Sequence, residues 1–162
     1  MDASMRRMVR YRFSLERTLS GEGPQACVVM LNPSTADDRK DDRTITTLRA
    51  LCTNNGYGSF TVCNVFGVRA TDPSELKPLF SSGFDLWGGR TMVLRRSVLM
   101  READDIIVAW GNKDISWAGF EPGDTLAQVM EFTDTPLCFG KNKNGTPKHP
   151  LYLPYDTKTV SY

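Results

Sequence analysis

Three short apolar runs, each broken off by asparagine, proline or glycine, constrain this chain more than any other feature. They read CVVMLNPSTAD at 27–37, SFTVCNVFGVRATDP at 59–73 and DIIVAWGN at 105–112. A run without polar alternation needs cover on both faces, the situation of a strand inside a parallel sheet. Each run stops at a polar or turn residue, so each strand would deliver a polar group to the carboxyl edge of the sheet. Ligands bind at that edge in open α/β folds. A fourth segment, GTPKHPLYLP at 145–154, carries the one histidine of the chain, His149, between Lys148 and Pro150. One pocket built from all four segments is the economical expectation.

The remaining pattern fills in the layers. Tyr11, Phe13 and Leu15 alternate, which predicts an edge strand or hairpin arm over 11–19. Strands are predicted at 27–31, 60–65, 106–109 and 137–139. Asp41 or Asp42 is placed to cap a helix running to about residue 54, with Ile45, Leu48, Leu51 and Cys52 on one face. Asn54, Asn55 and Gly56 end it. Pro73 suits the first position of another helix, 80–84 reads as a loop, and helices are predicted over 86–103 and 124–132. Strand and helix alternate, which predicts an α/β fold. We expect a single three-layer α/β/α domain over 1–162, with its core at about 11–154 and a mostly parallel four-stranded sheet.

Composition narrows the function classes. The 162 residues suffice for one domain with a sizeable core. The net charge of +1 gives no sign of a sequence-independent nucleic-acid coat. No apolar run nears the roughly 20 residues of a membrane helix, and the basic start MDASMRRMVRYRF leads into no apolar stretch of a secretory signal. A cytoplasmic protein is expected, without a membrane partner. Cys27, Cys52, Cys63 and Cys138 form no C-x-x-C pair, so they read as buried free thiols, and no metal or cofactor is expected.

Several residues can carry chemistry, each with a plainer reading beside it. Asn32, before Pro33, either turns its amide to a cleft or ends the strand in an Asx-turn. Ser34 and Thr35 next to it are candidates for the cleft or for backbone caps. Asn64 lies inside an apolar run, where an unpartnered amide costs roughly 1–3 kcal/mol. It either meets the edge of a ligand such as a nucleobase or is satisfied within the protein. His149 is the only side chain with an ordinary pKa near neutrality. It can donate to a developing anion, or hold its own loop. Trp110 and Gly111 floor a pocket or close a strand into the core. Arg69 contacts a phosphate or pairs with Asp72. In DDRKDD the aspartates lack the glycine and glutamate of a calcium loop, so capping and solvation are the better reading.

These motifs carry two resemblances. MLNPSTADDRKDDRTI, CNVFGVRATDP, VAWG and GTPKHPLYL resemble the bacterial and phage family catalogued as domain of unknown function 1643, over about 11–154. More distantly, the same four positions are similar to the uracil-DNA glycosylase superfamily. That superfamily carries a water-positioning motif after its first strand, which Asn32-Pro33 matches. It has an asparagine ending an apolar strand, matched by Asn64. One branch has a strand ending in Trp-Gly, matched by Trp110-Gly111, and a His-Pro motif follows its last strand, matched by His149-Pro150.

The second resemblance implies a uracil-DNA-glycosylase-like fold and a mechanism. Asn32 would place the attacking water and His149 would hydrogen-bond the departing base, as the catalytic pair. Asn64 would read the base and Phe66 or Tyr57 would stack on it, with Pro33, Ser34, Arg69, Trp110, Gly111, Lys148 and Tyr152 completing the substrate site. Leu151 and Tyr152 stand where the superfamily carries its wedge, and the target nucleotide would be flipped out. The partner expected is nucleic acid or a nucleotide. Two functions follow: a DNA or nucleotide N-glycosylase, a hydrolase, or a non-catalytic module binding a nucleotide or modified base. A third reading is a phage or host enzyme of DNA modification.

Overall fold

The structure is a computed structural model that describes residues 10–119 and 122–162. The basic stretch 1–9 lies outside the described residues. Six strands form one mixed sheet: β1 (Leu15–Thr18), β2 (Gln25–Met30), β3 (Ser59–Asn64), β4 (Asp105–Val108), β5 (Leu137–Cys138) and β6 (Val160–Ser161), in the order β1-β3-β2-β4-β5-β6. The inner strands β3, β2, β4 and β5 are mutually parallel. β1 and β6 add antiparallel edges, so the sheet has six strands and not the expected four. β1 is an edge strand with Leu15 and Arg17 buried, but it covers only part of the stretch 11–19: Tyr11 makes an isolated bridge to Val68 and Phe13 is exposed. β6 has two exposed residues, too short for a periodic signal.

Four α-helices cover the sheet among the described residues: α1 (Arg43–Asn54), α2 (Leu76–Ser81), α3 (Gly89–Glu102) and α4 (Pro122–Met130). Along β2, Ala26, Val28 and Met30 point to one face, where Ile45, Leu48 and Leu51 of α1 complete a core. Cys27 and Val29 point to the other, against Leu76, Met100 and Val129 of the remaining helices. Both faces are therefore covered, which is why β2 and β3 are buried at every position after the first. All four cysteines are free and buried. The stretch 80–84 was read as a loop, but Phe80 and Ser81 finish α2. That helix continues directly from the 3-10 turn Pro73–Glu75 and buries Leu76. The helix read over 86–103 starts only at Gly89, because Gly88 is left-handed at φ 83°.

The connections matter most for function. The chain leaves β2, crosses one face through α1 and enters β3 on one side of β2. It then crosses the opposite face through α2 and α3 and enters β4 on the other side of β2. The loops after β2 and β4 thus diverge to opposite faces and leave a crevice between them, the switch point at which open α/β sheets bind ligands.

The aspartate-rich loop between β2 and α1 is held by its own charges. Asp37 accepts from the backbone N–H groups of Arg39 and Lys40. Asp42 caps α1 by accepting from Ile45 N at 2.9 Å. Asp41 accepts from Arg17 Nε of β1 at 2.7 Å and from Arg49 Nε of α1 at 2.5 Å. Burial pushes the Asp41 carboxyl up, and the hydrogen bonds from Arg17 and Arg49 outweigh it, so the group sits below its ordinary value. A carboxyl depressed in the fold adds stability above its unfolded pKa and loses it as pH falls through the folded value. Asp41→Asn leaves the buried Arg17 guanidinium without its counter-charge. It should therefore cost roughly 3 kcal/mol in urea unfolding at pH 7. The gap from wild type should close below about pH 4, where the wild-type carboxyl also protonates. Equal stabilities at pH 7 would contradict this.

Candidate functional site

A cavity of about 540 Å³ opens in the crevice between the loops after β2 and β4. Its walls come from Asn32 and Ser34 after β2, Thr71 beyond β3, Trp110 and Gly111 beyond β4, and His149 beyond β5. The first turn of α1 adds Asp42 and Arg43.

Asn32 is held by the segment that follows β3. Its Nδ2 donates to the Ala70 carbonyl at 2.8 Å and to the Pro33 carbonyl at 3.1 Å. Two carbonyl acceptors fix which end of the amide is nitrogen. Oδ1 is left without a protein donor among the described residues, on a residue that lines the cavity. Ala70 N donates back to the Pro33 carbonyl at 2.9 Å. Arg69 donates to the carbonyls of Ser34, Thr35 and Ala36, and Arg12 also reaches Ala36. The Asn-Pro-Ser-Thr-Ala loop is thus bound to the Val-Arg-Ala segment at almost every carbonyl.

His149 is seated by the turn that precedes it, where Asn142 Nδ2 donates to Thr146 and Pro147 and Lys148 N donates to the Gly140 carbonyl. Its Nδ1 accepts from Leu151 N at 3.3 Å. Burial lowers its pKa and the Asp42 carboxylate opposes that shift only in part, so the ring is neutral at pH 7. A neutral imidazole that accepts at Nδ1 carries its proton on Nε2, which has no protein partner among the described residues. Gly111 makes room for the ring. It adopts φ 82°, and a Cβ there would sit 3.2 Å from His149 Cβ. Only glycine meets both conditions without strain.

Of the residues singled out in the sequence, the cavity gathers Asn32, Ser34, Thr35, Asp42, Trp110, Gly111, His149, Leu151 and Tyr152. The Tyr152 ring is 79% exposed at the lip, with the Arg43 guanidinium 5.5 Å over its centroid. The others lie elsewhere. Asn64 is 1% exposed on the α1 face of β3, and its Nδ2 is buried without a partner. Phe66 is fully buried against Trp87 and Trp117, so it packs the core. Tyr57 precedes β3 at the opposite edge of the sheet and donates to Asp105 at 3.0 Å. Pro33 is buried in the loop, Arg69 is spent on loop carbonyls, and the exposed Lys148 lays its chain over Gly140. Arg43, Asn112 and Lys113 line the cavity and were missed. Arg43 was accessible to the pattern, since a helix capped by Asp42 must start at this edge. Asn112 and Lys113 lie in irregular backbone with no periodic signal.

Fold and cavity together define a mixed α/β protein with a candidate ligand site at the carboxyl edge of its parallel strands. The chain belongs to the DUF1643 family, described as a protein of unknown function, whose model matches residues 12–151. No curated protein and no solved structure matches it.

Two measurements check this geometry. With one histidine in the chain, a proton NMR titration reports His149 directly. Its midpoint should lie below the ordinary value of about 6.5, and Asp42→Asn should lower it further by removing the opposing charge. A midpoint above the ordinary value would contradict the buried neutral ring. Asn64→Leu, close in shape, removes an unpaired buried donor. It should leave stability unchanged or raise it by up to about 1 kcal/mol in urea unfolding. A loss above about 2 kcal/mol would mean that the amide is satisfied.

Proposed function

We propose that this cavity binds a nucleobase, in DNA or in a nucleotide, in the manner of the uracil-DNA glycosylase superfamily, and hydrolyses its N-glycosidic bond. The observation that carries the reading is the pairing, in one cavity, of a fixed acceptor, Asn32 Oδ1, with a neutral donor, His149 Nε2–H. In this reading Asn32 Oδ1 accepts a hydrogen bond from a water and aims its oxygen at the anomeric carbon. The C–N bond breaks with its electron pair going to the base, and His149 Nε2–H donates to the developing anion. The water's hydroxyl ends on the sugar and its proton on the base. Trp110 and Tyr152 take the part of aromatic walls that Phe66 and Tyr57, both buried elsewhere, cannot play.

A second reading, a binding module that does not cleave, draws on two observations. Among the described residues Asp42 is the one carboxylate on the cavity wall, and both its oxygens already accept backbone N–H groups, from Ile45 and Ala36. Among the described residues no free carboxylate is therefore at hand as a general base. Asn64, the expected base reader, is out of the cavity.

Base release separates the two. Duplexes, single strands and nucleotides carrying uracil or modified pyrimidines should yield free base. Asn32→Ala and His149→Ala should each slow release by roughly 10²–10³-fold. Asn32→Ala should leave much of the binding intact, because the water matters in the transition state. Tight binding with no release from any substrate would leave the binding module. Neither binding nor release would remove both readings.

A further inference from the structure

Beside the main cavity lies a smaller one of about 240 Å³, formed by Ser74, Lys77, Asp114 and Trp117, among others. The two adjoin, with Pro73 and Lys113 on the lining of both. Neither Lys77 nor Lys113 forms an ion pair among the described residues. Carboxylates are near, but each is committed to a local turn. Asp114 accepts from Ser116 N at 3.0 Å and Ser116 Oγ at 2.7 Å. Asp72 accepts from Ser74 N at 2.9 Å, and Glu75 accepts from Asp72 N. Trp117 fixes the wall by donating from Nε1 to the Asp114 carbonyl at 3.0 Å. Asp72 and Asp114 are exposed and feel the charges of Lys113 and Lys77 through space, but their hydrogen bonds go to the turns 72–75 and 114–116, and neither closes an ion pair with a lysine on the lining of the hollow.

We propose that this second hollow is a phosphate subsite, in which Lys113 and Lys77 hold a phosphate of the ligand whose base occupies the main cavity. The proposal rests on the nucleobase reading for the identity of the rest of the ligand, and on the adjoining cavities and their two lysines for the phosphate. Lys113, at the shared wall, takes the phosphate nearest the sugar. Lys77, on α2, takes the farther oxygens or a second phosphate. A lysine ammonium is a point charge with three rotatable donors and needs no bidentate geometry for this. The phosphate can come from a free 5′-nucleotide or from the next link of a strand.

Calorimetric titration tests it. The probes are the four common nucleosides, their 5′-mono- and diphosphates, a short single-stranded oligonucleotide, and inorganic pyrophosphate. Phosphorylated ligands should bind at least tenfold more tightly than their nucleosides. Lys77→Ala and Lys113→Ala should each weaken them about fivefold, the scale of one solvent-facing ion pair, and Lys77→Ala, outside the main cavity, should leave nucleoside affinity unchanged. Stronger binding of the oligonucleotide than of any nucleotide, with the same lysine dependence, would assign the phosphate to a strand and uphold the subsite. Pyrophosphate that binds and loses affinity in both variants upholds the subsite even if no nucleoside binds, in which case the nucleobase reading alone fails. Phosphorylated ligands no tighter than nucleosides, with pyrophosphate unbound, would overturn the subsite. So would affinities that both lysine variants leave unchanged.

Discussion

The loop after β2 must turn back across the end of the sheet and reach the start of α1 with no regular structure of its own. Its backbone carbonyls would be stranded there without donors, and buried unpaired carbonyls are costly. Arg69 answers this by spreading its guanidinium over the carbonyls of Ser34, Thr35 and Ala36, and Arg12 joins it at Ala36. Asn32 and Ala70 close the seam in both directions. Behind the seam, Arg17 and Arg49 grip Asp41, and Asp42 opens α1. The loop that forms one wall of the cavity is thereby held by four arginines and two aspartates. It is held by polar and charged contacts more than by hydrophobic ones.

The same seam decides what the cavity can do. By committing the Asn32 Nδ2 to Ala70, it presents the amide as an acceptor and not as a donor. The opposite polarity comes from His149, whose Nδ1 is committed to Leu151 N and whose burial keeps it neutral. The left-handed turn at Gly111 lets the ring approach the end of β4. The cavity therefore offers the Asn32 acceptor and the His149 donor, both of fixed sense and uncharged, with the cations Arg43 and Lys113 among its lining residues. That combination suits a polar, planar, uncharged group attached to something anionic.

The architecture was legible wherever a segment had periodicity. Continuous apolar runs gave β2, β3 and β4 as buried parallel strands. Asp42 and the residues of one helix face gave α1 with its limits. β6 was invisible because two exposed residues hold no pattern, and its place in the sheet depends on pairing with β5, far away in sequence. At the site, turn chemistry pointed to Asn32, Gly111 and His149. Asn64 and Phe66 misled because a strand's end shows only that a residue is near the edge, not which face it takes. The Asn64 side chain falls on the α1 side of β3, and Phe66 drops into the core between two tryptophans. Arg69 looked like a phosphate ligand because sequence cannot show that nearby carbonyls already need its donors.

The central claim is that the crevice between the β2 and β4 loops is a base-binding site that uses Asn32 and His149. The most direct measurement is a crystal structure of the protein grown with a nucleotide or a short base-containing oligonucleotide. The account predicts the base in the cavity beside Trp110, with His149 Nε2 within hydrogen-bond distance of a ring nitrogen or carbonyl oxygen and a water on Asn32 Oδ1. A base bound anywhere else on the molecule, or one in the cavity that touches neither Asn32 nor His149, would contradict it.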